Sequence, residues 1–256
     1  MIDRAAPTVL PGCEARSHVA DSPTGVLVLH GFTGTPLSVG GVADAMISAG
    51  FHVELPRLPG HGTTIDDLVS TRWADWSGEV AAALDALRGR AERIVVVGQS
   101  MGGALALWSA LEHPGVAGLV CINPVTRNRH PDELAMIDDF IADGMLVVPG
   151  EGSDIADPDS DDVTYPGTPL EPLRSLFCDG VGPIAGRYGE LDMPLRLFTS
   201  RQDHVVDPAD SEHLAATHGG PVEHSWLERS YHVATRDFER EFVFAESVAF
   251  VERVAG

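Results

Sequence analysis

Between residues 94 and 108 the chain runs IVVVGQSMGGALALW, four β-branched residues, then G-Q-S-M-G, then a helix-forming run. A strand that feeds a helix through so short a link must turn sharply at the serine. Gly98 and Gly102 flank Ser100 two residues to either side. A turn tight enough to lift the hydroxyl above the sheet crowds both positions, where a Cβ would clash. The link therefore points to a parallel sheet covered by helices, with Ser100 raised at its carboxyl edge as a nucleophile. The helix that follows aims its positive end and free N–H groups at whatever negative charge develops there.

The rest of the chain repeats that rhythm. Apolar runs of strand length lie at 25–29, 52–55, 93–97, 118–122, 195–199 and 222–227. Between or after them, 37–49, 73–87, 102–113 and 242–254 place apolar residues at helical spacing. Gly50 and Pro114 stand where helices should end. This alternation predicts an α/β fold with a mostly parallel sheet and helices on both faces. Its 256 residues fit one domain spanning 1–256. Only the stretch from about 125 to 192 breaks the pattern, being rich in Pro, Gly and Asp with no clean strand. A structureless loop of that length is unusual in a compact domain. Local helical signals at 139–145 and 169–177 favour a small subdomain inserted over the sheet's carboxyl edge, where such sheets bind ligands.

A raised serine needs a base, an acid to steer the base, and donors for an oxyanion. In sheets of this kind the acid and then the base follow the nucleophile, on loops after late strands. LRLFTSRQDHVVDP sets Asp203 four residues past one strand, and WLERSYHVATRD sets His232 five residues past the last. Asp207 is a rival acid, but it precedes Pro208 at a helix start and reads as an N-cap. His224 lies inside a strand, and His213 and His218 lie on or after a surface helix. The sequence VLVLHGFTGTP offers the backbone N–H of Phe32 as one oxyanion donor beside that of Met101, with Gly31 and Gly34 allowing close approach. His30, at a strand end ahead of the serine, and His61, in LPRLPGHGTT, read as loop-orienting residues.

Composition narrows the function further. A formal charge of −21 argues against nucleic acid or an anionic membrane as partner, because phosphate binding depends on Lys and Arg. No run of about 20 apolar residues is present for membrane insertion. Cys13, Cys121 and Cys178 are odd in number and lack ligand spacing, which fits free thiols in a reducing compartment. With no secretory pattern at the N-terminus, the expected location is cytoplasmic. No His-rich ligand motif occurs, so no metal is expected, and serine chemistry requires no cofactor. The expected partner is a small-molecule ester.

HGFTGTP, LPRLPGHGT, GQSMGG, QDHVV and SYHVAT, in that order, resemble the small bacterial carboxylesterases and monoacylglycerol lipases of the α/β-hydrolase fold. The bacillary monoacylglycerol lipases are the nearest branch, and the likeness runs from about residue 11 to the C-terminus. It implies a triad of Ser100, Asp203 and His232, with Phe32 and Met101 as oxyanion donors, acting on medium-chain monoesters. It also implies a small mobile cap after the sixth strand. In GSDIADPDSDDVTYPGTP, the anchors G-S-D, Y and T-P align Asp162 with a cap glutamate that meets a glycerol head group. The shorter Asp side chain leaves a solvated loop acid as the other reading. Broad carboxylesterase or thioesterase activity are alternatives that use the same residues. A non-catalytic receptor on this fold would need no complete triad.

Overall fold

The computed structural model describes residues 7–150 and 152–256. The first six residues, on which the expectation of no secretory leader partly rests, and Glu151 of the acidic stretch lie outside the described residues.

Nine strands are present among the described residues: β1 (Arg16–His18), β2 (Thr24–Leu29), β3 (His52–Leu55), β4 (Arg93–Gln99), β5 (Val116–Ile122), β6 (Val147–Pro149), β7 (Gly167–Pro169), β8 (Leu195–Ser200) and β9 (Val222–Leu227). Seven of them form one sheet in the order β1-β3-β2-β4-β5-β8-β9. All pairings in it are parallel except β1 with β3. The edge strand β1 escapes sequence reading because three residues carry no periodicity.

Alternation along these strands sorts the core into two layers. Leu27, Leu29, Ile94, Val96, Leu119 and Leu197 face one side. There, after the short α2 (Ile65–Val69), α3 (Trp73–Arg88) and α4 (Met101–Glu112) bury Trp76, Leu84 and Leu105 against them. Val26, Val28, Val95, Val97, Val120 and Phe198 face the other. There α1 (Gly40–Ser48) and α9 (Arg240–Ala255) contribute Val42, Met46, Val243 and Phe250. Every central strand is thus apolar on both faces, as a sheet covered on both sides requires.

Register then aligns the strand ends. Leu29 pairs with Gly98, Gln99 with Ile122, Ile122 with Phe198, and Ser200 with Leu227. Loops leaving β2, β4, β8 and β9 emerge along one edge.

The insertion leaves the sheet after β5, the fifth strand in chain order rather than the sixth. Among the described residues only one short strand, β1, precedes β2. The helix expected at 139–145 begins earlier, as α5 (Pro131–Ala142). Pro131 fits its first position, His130 Nδ1 accepts the Asp132 N–H, and Gly144 at φ 84° follows its end. The antiparallel pair β6–β7 comes next. Then α6 (Leu170–Ser175) runs into a π-turn at Leu176–Val181 and the short α7 (Gly182–Ile184), near the helical signal read at 169–177.

Candidate active site

Ser100 sits between β4 and α4 at φ 57°, ψ −120°, a backbone state that non-glycine residues rarely hold. The chain pays for it with glycines. A Cβ on Gly98 would lie 2.0 Å from the Gly102 carbonyl oxygen, and one on Gly102 would lie 2.3 Å from that of Leu29. The crowding read from the sequence is therefore backbone against backbone, with no flexible side chain to yield. Ser100 N–H donates to the Ile122 carbonyl at 3.0 Å, and its own carbonyl accepts the Val125 N–H at 3.2 Å, which fixes the turn to the neighbouring strand end.

Asp203 and His232 meet across the loops after β8 and β9. The Nδ1–H of His232 donates to Asp203 Oδ2 at 2.8 Å. Asp203 Oδ1 accepts the N–H groups of Val205 and Val206 at 2.9 and 2.8 Å. His232 Nε2 takes no hydrogen bond from the described residues, and both His232 and Ser100 line one cavity of about 550 Å³. The structure thus brings Ser100 and His232 to one cavity, with Asp203 buried behind the ring and the Nε2 of His232 left available. Such a bond to serine commonly tightens only when substrate binds.

Phe32 borders the same space, and buried Met101 directly follows Ser100 in the chain. Met101 is the first residue of α4, a position whose N–H has no intrahelical acceptor. Neither its N–H nor that of Phe32 donates to another described residue. His30 holds the Phe32 loop from behind. Its Nδ1–H donates to the Gly31 carbonyl at 2.9 Å, and its Nε2 accepts the Leu58 N–H at 3.1 Å. With both nitrogens engaged it cannot act as the serine's base, and burial pulls its pKa from 6.5 to about 4. His61 packs edge-on against His30 at 5.0 Å and Phe32 at 6.1 Å, in the loop-supporting role expected of it. Burial, then the nearby His30, depress its pKa too.

Asp162 lies half-buried in the cavity wall. Ser38 Oγ donates to its Oδ2 at 2.7 Å, and the Val163 N–H donates to Oδ1 at 2.9 Å. Burial raises its pKa despite these bonds. Ser38 Oγ also accepts the Thr35 N–H at 3.1 Å, which ties this acid to the Phe32 loop. Asp207, the rival acid, instead accepts the Ala209 N–H at 2.9 Å at the start of α8 (Ala209–Thr217) and pairs with Arg127.

Two supporting residues were not read from the sequence. Asn123, at φ 44° just past β5, accepts the Ser200 N–H at 2.7 Å and donates to the His232 carbonyl at 2.8 Å. Asp154, in the insertion, touches both late loops. An Asn directly after the apolar run 118–122 is a signal the sequence does carry, because Asn tolerates positive φ at a strand end. One aspartate among many in an acidic loop is not.

The model of the serine aminopeptidase S33 family matches residues 21–145, which spans the Phe32 loop and the Ser100 turn but neither Asp203 nor His232. The thermostable monoacylglycerol lipase of Bacillus sp. (strain H-257) is 35% identical over 254 residues, covering 97% of this chain and 98% of that one. The chain belongs to the bacterial monoacylglycerol lipase and carboxylesterase family of α/β-hydrolases. Members of this family are serine hydrolases of carboxylic esters. The carboxylesterase of Bacillus subtilis (strain 168) is 25% identical over 232 residues, with 90% and 92% of the two chains covered. Among solved structures, one of two metagenome-derived lipolytic enzymes, LipS and LipT, superposes with a TM-score of 0.89 at 38% identity, covering 96% of this chain and all of that one (100%). The monoacylglycerol lipase of Paleococcus ferrophilus shares the fold, at a TM-score of 0.71 and 17% identity over 94% of this chain and 98% of its own. Among the described residues no helix is long and apolar enough to cross a membrane.

Proposed function

We propose that the chain hydrolyses monoacylglycerols or similar medium-chain monoesters through an acyl-enzyme on Ser100, as one α/β-hydrolase domain with 125–192 as its cap. The observation that carries this reading is the Asp203–His232 pair opening onto the cavity that Ser100 also lines. His232 Nε2 takes the Ser100 proton as Oγ attacks the ester carbonyl, and Asp203 stabilises the imidazolium that results. The N–H groups of Phe32 and Met101 hold the oxyanion. His232 returns the proton to the departing alcohol, and water activated by the same ring then releases the acid.

The cavity's two sides support the substrate class. Val125, Leu173, Leu176, Phe177 and Val206 give an apolar side suited to an acyl chain, while Thr33, Ser38, Thr164 and Asp162 give a polar side suited to an alcohol bearing hydroxyls. Asp162 spends two acceptor positions on Ser38 and Val163, and a carboxylate has about four. The remainder can take glycerol hydroxyls. Free thiols at Cys13, Cys121 and Cys178 among the described residues support a cytoplasmic location.

The deciding experiment has two arms. Wild type turns over p-nitrophenyl esters and is labelled by a fluorophosphonate, while Ser100→Ala does neither; an active Ser100→Ala ends the triad reading. In the second arm, kcat/KM for monoacylglycerols is compared with that for methyl esters of equal chain length. Asp162→Ala should erase a preference of about 10- to 100-fold, the equivalent of one hydrogen bond to a charged group at about 1.5–3 kcal/mol. Equal wild-type values for both esters would leave a broad carboxylesterase.

A further inference from the structure

The loops that carry Asp203 and His232 leave separate strands, yet the ring of one must stay 2.8 Å from the carboxylate of the other. One side chain outside both loops grips them together. Asp154, between β6 and β7, accepts the backbone N–H of His232 and that of His204 on Oδ2, each at 3.1 Å. Its Oδ1 accepts the Nδ1–H of His204 at 2.8 Å, and its own carbonyl accepts the Val233 N–H at 3.0 Å. His204 is the neighbour of Asp203, so one carboxylate joins the acid loop to the base loop at the residues that matter. Its side chain is 16% exposed, and it lines the cavity that Ser100 shares.

We propose that Asp154 is a positioning residue of the ester hydrolase: its carboxylate fixes the base loop against the acid loop, and thereby the aim of the His232 ring at Ser100. This rests on the triad reading above. A carboxylate is an acceptor only and carries full charge, so it holds several N–H groups more firmly than a neutral acceptor would. It works on the main chain of His232, whereas Asp203 works on the ring. The surrounding strap is stitched down in the same way. Buried Asp237 accepts the N–H groups of Ala156, Asp157 and Tyr231 at 2.7, 3.0 and 2.8 Å. This part of the insertion is therefore tied by hydrogen bonds to the loop that carries His232 and forms part of the cavity wall.

Asp154→Ala and Asp154→Asn are to be compared with wild type on a soluble p-nitrophenyl ester, with thermal melts and the downfield imidazole proton resonance of the Asp203–His232 bond recorded alongside. Misplaced catalytic groups lose rate steeply, so the alanine variant should lose about 10- to 100-fold in kcat with KM nearly unchanged. Its imidazole resonance should broaden or move. The asparagine variant keeps an oxygen for both backbone N–H groups and should recover most of the rate. Wild-type kcat in Asp154→Ala overturns the proposal, as does a loss that follows melting temperature and is no smaller in Asp154→Asn. If the alanine variant does not fold, Asp154→Glu takes its place, carrying the same charge one methylene further out. Reduced kcat there supports the role and unchanged kcat overturns it. A wild type that is inert to esters and to fluorophosphonate removes the triad and this role together, and is told apart because it needs no variant.

Discussion

His232 Nδ1 and Asp203 Oδ2 lie 2.8 Å apart, between side chains only 9% and 2% exposed. Two backbone N–H groups hold the other carboxylate oxygen, so Asp203 cannot turn away, and the ring is fixed as the tautomer with Nε2 unprotonated. Asp203→Asn keeps the shape but can present its NH₂ to the ring, which favours the tautomer that cannot accept the serine proton. The expected result is a fall in kcat of roughly 10³–10⁴-fold near neutrality with KM little changed, read by steady-state kinetics on a soluble ester.

A second expectation concerns the turn rather than the chemistry. Gly98→Ala drives a Cβ to 2.0 Å from backbone oxygen, and Gly102→Ala to 2.3 Å. Neither neighbour can swing aside, so each variant should lose on the order of 4 kcal/mol or fail to fold. Gly78 is the control, because it lies inside α3 with nothing within 4 Å of an added Cβ. Gly78→Ala should be more stable than wild type by about 0.5–1 kcal/mol, so urea denaturation of the three variants separates crowding from helix propensity.

The same contrast explains what could be read from the chain. The strands at 52–55 and 222–227 appear at the expected bounds because local apolar runs encode them. The strand expected at 93–97 continues to Gln99, since Gly98 and Gln99 still pair with Cys121 and Ile122 although a glycine breaks the pattern. The strands β6 and β7 are three residues each and contain Pro149, Gly167 and Pro169, so only their mutual pairing defines them. Ser100, Asp203 and His232, the proposed triad, stand out in the sequence because each follows a strand end at short range. Asp154 does not. Its role depends on contacts 50 and 78 residues away, and nothing local separates it from Asp157, Asp159 or Asp161.

The buried histidines make stability depend on pH. Burial lowers His30 to about 4 from its ordinary 6.5, and His61 moves in the same direction. Between those pH values the unfolded chain holds more protons than the folded one, so stability rises with pH. It is present above about 6.5 and is lost as pH falls toward 4, by at most on the order of 3 kcal/mol for His30. Melting temperature should therefore climb from pH 4.5 to 7. His30→Gln, which cannot take up the proton, should show a shallower climb; an identical slope would refute the assignment to His30.

The proposed oxyanion donors are backbone groups, so they are tested through their neighbours. A Cβ on Gly31 would stand 3.1 Å from Ser100 Cβ and 3.6 Å from Ser100 Oγ, close enough to push but not to forbid. The Gly31 carbonyl, which accepts from the His30 ring and from the Gly34 N–H at 3.3 Å, shares one rigid peptide plane with the Phe32 N–H, so a push on Gly31 tilts that donor with it. Complete loss of one oxyanion donor costs about 10²–10³-fold in kcat, and a shift of a few tenths of an ångström should cost less, about 10-fold. A ground-state contact would raise KM instead, which gives the experiment its direction. Gly31→Ala should lower kcat with KM and melting temperature near wild type. It should also weaken binding of a tetrahedral boronate inhibitor in parallel with kcat, because only the tetrahedral species places its oxygen between Phe32 and Met101. A variant whose KM rises while boronate affinity is unchanged would move the oxyanion site away from Phe32.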